Sequence, residues 1–139
     1  MNYNFFEDFN ALNEFNNIQD ANNDLNLFNT YEGYTHGNMF RNLYTPYKNY
    51  QPSRININSE KEEMLTNIGE YSFAMHELNL YLDIYPNDQN ALNLFNKYQR
   101  QTNELIMNYE RKYGPINVFS NTLNNVPFNW SIAKWPWEV

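Results

Sequence analysis

A chain of 139 residues with no cysteine and a net charge of −7 has room for one domain and excludes disulfides, thiolate chemistry and cysteine-based zinc sites. Its 9 bases against 16 acids neutralise phosphates poorly, which argues against nucleic acid as a partner. No apolar run approaches the roughly 18 residues of a membrane span, and no basic stretch leads into an apolar one at the start, so a cytosolic origin is expected.

Residues 1–30 carry Glu7, Asp8, Glu14, Asp20 and Asp24 and no base. Phe5, Phe9, Leu12 and Phe15 repeat at helical spacing, but the asparagines between them compete for backbone hydrogen bonds and weaken a helix. The segment reads as an Asn-rich acidic flexible tail, with a short partner-docking helix as the alternative. Residues 31–58 form a different unit, in which Arg41, Lys48 and Arg54 follow Glu32 without a further acid. Gly33, Gly37, Pro46 and Pro52 punctuate its tyrosines and Phe40, which excludes a long helix. The expectation is an extended, turn-rich aromatic strap with at most a turn of helix at Met39–Tyr44. A strap this aromatic has to lie on something, and Tyr34, Phe40, Leu43, Tyr44 and Tyr47 are its candidate partner contacts.

Residues 59–113 read as two helices. Ser59 and Glu62 form a capping box, in which hydroxyl and carboxylate each satisfy an orphan amide of the first turn. Met64, Ile68, Tyr71, Met75, Leu78, Leu82 and Tyr85 then alternate spacings of four and three, the rhythm of a coiled-coil-like seam. Pro86 stops the helix, and Asn87 or Asp88 can cap the next. Ala91, Phe95, Tyr98, Thr102, Leu105 and Tyr109 carry the same rhythm, which ends where Gly114 is expected to take the left-handed C′ conformation before Pro115. Each helix spans roughly 25 residues, about 38 Å, and the short connection makes them antiparallel. Leu65, Phe73, Leu80, Ile84 and Leu92 lie off the seam, so a second face needs cover. After Gly114 the chain should be irregular. Its three tryptophans, Trp130, Trp135 and Trp137, either fold back over the open side of the hairpin or contact a partner. The expected fold is therefore all-α: an antiparallel two-helix hairpin covered by extended aromatic-rich N- and C-terminal segments.

The catalytic inventory is thin. His76 lacks the Glu three residues before it that a di-metal carboxylate bundle uses, because Phe73 stands there. Glu70 and Glu77 are one heptad apart, but the second helix answers with Glu104 and Glu110 and no histidine. His36 lies in a turn context, and no glycine-rich phosphate loop or activated serine is signalled. No catalytic residue, metal site or cofactor is expected, and the chain is not read as an enzyme.

Two segments, "HELNLYLDIYPNDQNALNLFNKYQRQTNELIMNYERKYGPINVF" (residues 76–119) and "FNWSIAKWPWE" (residues 128–138), resemble the CotJB family of spore-coat-associated proteins. The shared order is a helix reaching LYLD, a Pro-Asx-Asp-Gln turn, ALxLFNKY, YExKYGP and a terminal WPWE, which makes residues 59–139 a CotJB-like body. Upstream, "GYTHGNMFRNLYTPYKNY" is similar to the short motif of CotJA through Gly33, Gly37, Phe40, Leu43, Tyr44, Pro46 and Tyr47, while Asn38 and Arg41 depart from it. The resemblance implies a structural and assembly protein of the endospore coat, made in the mother-cell cytoplasm and acting through protein–protein contacts. The implied partners are other coat proteins, first a manganese-catalase-like protein of the CotJC type. The alternatives are self-association into a homo-oligomer without a specific partner, or an accessory subunit of a di-manganese enzyme.

Overall fold

The computed structural model describes residues 25–132. Residues 1–24 of the tail expected over residues 1–30, together with Trp135 and Trp137, lie outside them. The described chain is mostly helical and contains four α-helices and no strand: α1 (Thr30–His36), α2 (Glu60–Ile84), α3 (Gln89–Tyr113) and α4 (Asn129–Ile132). Short 3-10 turns at Arg41–Leu43 and Tyr47–Asn49 stand between α1 and α2.

Helices α2 and α3, each 25 residues long, pack against each other as an antiparallel hairpin. Ser59 caps α2 by accepting from the Glu62 amide. The returning half of the box is displaced by one residue, since Glu62 accepts from the amide of Asn58 at 2.6 Å and not from that of Ser59. Asp88 caps α3 by accepting from the Ala91 amide at 3.0 Å, and its other oxygen accepts from the Tyr81 hydroxyl at 2.9 Å. Both bonds hold the Asp88 carboxyl below its ordinary range, the Ala91 amide most. One carboxylate thus starts a helix and fixes the hairpin corner.

The seam buries Met64, Tyr71, Ala74 and Leu78 from α2 against Ala91, Leu94, Tyr98, Leu105 and Tyr109 from α3. Tyr71 and Tyr98 meet edge to face across it, with centroids 5.6 Å apart. Ile68, Met75, Leu82 and Phe95 pack against this core from half-buried positions. Tyr85, expected in the seam, is exposed, because α2 ends at Ile84 and the chain leaves helical geometry at Tyr85 (φ −120°, ψ 63°). Gly114 has a positive φ, but at φ 96° and ψ 179° it extends the chain where a left-handed cap would have turned it.

Of the off-seam residues expected to need cover, Phe73 receives it from the N-terminal side, while Leu65, Leu80, Ile84 and Leu92 stay exposed. Leu27 and Met39 are buried and belong to the same apolar core as the helix seam. The strap is therefore less extended than its Gly and Pro content implied, because α1 runs through Gly33, capped by Asn29 and ended by left-handed Gly37. An isolated antiparallel bridge between Leu27 and Phe40 closes the segment into a loop, with Phe28 donating to Met39 O at 2.8 Å and Arg41 to Asn26 O at 3.1 Å. Residues 25–30, assigned to the tail with the rest of the Asn-rich acidic segment, are thus built into this layer. Their asparagines serve it, Asn26 in a left-handed turn and Asn29 as a cap.

Candidate interaction surface

Glu70, Phe73, Glu77 and Tyr81 recur every three or four residues along one side of α2, and each meets a different part of the strap. The Thr30 hydroxyl donates to Glu70 at 3.1 Å, and the amide of Met39 donates to Glu77 at 3.2 Å. Tyr34 meets Phe73 edge to face at 6.1 Å, and Phe40 stacks on Tyr81 at 5.2 Å. Gly69 makes room for this layer, since a Cβ there would come within 2.8 Å of the Tyr34 hydroxyl oxygen. The two carboxylates whose heptad spacing raised the question of a metal therefore bind the strap. Burial pushes the Glu70 carboxyl up to about 7, with the Thr30 hydrogen bond working weakly the other way. Among the described residues, no group of three or more His, Asp or Glu could hold a metal ion. No described helix is long and apolar enough to cross a membrane.

A ring cluster stiffens the outer side of the strap. Phe28 stacks on His36 at 4.7 Å, Tyr44 meets both rings edge-on, and the Arg41 guanidinium lies over Phe28 at 4.3 Å. Arg41 also donates to Glu32 and to the Leu27 carbonyl, each at 3.1 Å. Of the five strap residues proposed from sequence as partner contacts, Tyr34, Phe40 and Tyr44 make their ring contacts within the chain. Leu43 and Tyr47 face water, 73% and 76% exposed, with exposed Tyr50 following.

At the other end of the hairpin a third carboxylate plays the same part. Buried Glu110 accepts from the Ile116 amide at 3.0 Å and from the Ser120 hydroxyl at 2.7 Å, tying the chain after α3 back onto that helix. Lys112 pairs with Glu60 across the two helix ends. Trp130 lies in α4 and is 37% exposed. Sequence reasoning passed over Glu70, Glu77 and Glu110 as receptors for the flanking segments. The available signal was a carboxylate at a seam-flanking position without a basic residue to pair it.

The profile of the CotJB protein family matches residues 62–138, more than half of the chain. The chain belongs to the CotJB family. The match takes in α2 from its third residue, all of α3 and the Trp-rich ending, and it begins after the strap. In this CotJB protein the layer that completes the hairpin core, Leu27 and Met39, is thus supplied from outside the matched region. Membership makes the chain a spore coat-associated protein. No curated protein and no solved structure matches it.

Proposed function

We propose that this CotJB protein is an assembly protein of the endospore coat, synthesised in the mother-cell cytoplasm and carried onto the spore by binding a manganese-catalase-like coat protein. Family membership over residues 62–138 carries the reading. The exposed edge of the strap supports it. Leu43, Tyr47 and Tyr50 stand in water on a stretch anchored before it by the Glu77–Met39 bond and the Phe40–Tyr81 stack and after it by the Ile55 amide donating to the Tyr31 hydroxyl. A pre-ordered apolar edge loses little conformational freedom on docking, and tyrosine is among the residues that dominate interface energetics. Lys48 and Arg54 flank it in a chain that is otherwise acidic, which suits a partner surface rich in carboxylates.

The test is co-expression of the full chain with the catalase-like protein, followed by affinity purification. The wild-type chain is expected to bring the partner with it, and a Leu43→Asp, Tyr47→Asp double variant to lose at least about tenfold of that yield. Failure of the wild-type pair to co-purify sinks the partner reading. Co-purification that is indifferent to the double variant moves the contact away from this edge.

A further inference from the structure

Residues 114–132 contain no charged side chain, in a chain of net charge −7. Their path is nevertheless fixed. Glu110 holds Ile116 and Ser120, and backbone bonds from Ser120 to Asn117, Leu123 to Ser120 and Ser131 to Phe128 make a succession of turns. What this path displays is apolar. Phe119 is 90% exposed and Val126 99%, and Val118, Phe128, Trp130 and Ile132 are exposed as well. An exposed apolar surface of this extent, held by hydrogen bonds away from the core, is the mark of an interaction site.

We propose that segment 114–132 is a self-association surface, on which the same segment of a second copy of this chain packs. Charge selects a second copy. Two chains of −7 repel one another over most of their surfaces, and repulsion is least where no ionised group stands. A two-fold contact sets a patch against itself, which a neutral apolar surface tolerates and a surface of one charge sign does not. Area agrees with this. The exposed surface of the six side chains sums to on the order of 650 Å², which is of the same order as the roughly 800 Å² per side of a standard stable interface.

The test is light scattering coupled to size-exclusion chromatography of the full chain, from micromolar to hundreds of micromolar, without any other coat protein. The expected result is a mass that rises to that of a dimer. Phe119→Asp and Val126→Asp should each weaken the dimer by about tenfold or more. Both positions are almost fully exposed, so circular dichroism should show unchanged helix content. A wild-type chain monomeric at every concentration overturns the proposal, and so do Asp variants that dimerise as tightly as wild type. A monomeric wild type whose thermal midpoint falls on Asp substitution assigns the patch to cover by the chain's own residues, which also overturns it. Because no catalase-like protein is present, failure here leaves the partner reading standing or falling on its own experiment.

Discussion

Glu70→Gln isolates the cost of a carboxyl placed between α2 and the strap. The substitution keeps an oxygen to accept from Thr30 and removes the ionisation. In the fold the Glu70 carboxyl is pushed from 4.5 up to about 7 by burial. The unfolded chain ionises it near 4.5, so the folded protein holds the extra proton between those values. Stability is therefore full below pH 4.5, falls as the pH rises toward 7, and is level above. At about 1.4 kcal/mol per pKa unit the ceiling is roughly 3 kcal/mol, and the solvent that reaches the edge of the strap reduces it to about 1–2 kcal/mol. Urea unfolding followed by circular dichroism at mildly acidic and mildly alkaline pH reads this out. The wild type should lose about 1 kcal/mol relative to Glu70→Gln between the two conditions, which places the variant ahead under alkaline conditions. A gap between the two proteins that is the same at both pH values refutes the argument, because Glu70 would then ionise alike in the folded and unfolded chain.

Two further outcomes follow from the layers on either side of the hairpin. Met39 has no exposed surface and joins the strap to the helix core, so Met39→Ala should cost about 2–4 kcal/mol in the same urea experiment, more than any exposed strap residue. Glu110→Ala leaves the Ile116 amide and the Ser120 hydroxyl without their acceptor. It should cost about 1–3 kcal/mol and bring faster limited proteolysis between residues 115 and 123, with α2 and α3 still protected in hydrogen exchange.

The two long helices were legible in the sequence because their determinants are local. A four–three apolar rhythm, Ser59 and Asp88 as caps, Pro86 between the helices and Gly114–Pro115 at the end need no knowledge of the rest of the chain. The end of the seam was misjudged at Tyr85, since periodicity continues on paper where the backbone has already turned toward Pro86. The Gly114 cap went differently for a related reason. Its amide satisfies the Glu110 carbonyl, but the next residues extend so that Ile116 and Ser120 can reach the Glu110 carboxylate.

Which segment covers the hairpin was a tertiary decision. Composition pointed to the aromatic ends as a whole, and tryptophan's large area made the C-terminal ending a strong candidate for the missing layer. The structure fills the core with Leu27 and Met39, two ordinary apolar residues separated by a helix of seven. They succeed because the Leu27–Phe40 bridge closes their segment into a loop against α2, and because Gly69 lets Tyr34 approach the helix surface. Neither condition can be read from spacing along the chain. Glu70, Glu77 and Glu110 carry a signal in sequence, carboxylates beside the seam with no base to pair them, but which segment each receives is set by the tertiary structure. Local patterning determined that this chain makes a helical hairpin, and the CotJB motifs within it determined the family. Only the tertiary structure decided which side chains complete its core and which are left facing water, because that choice depends on contacts between residues forty and more positions apart.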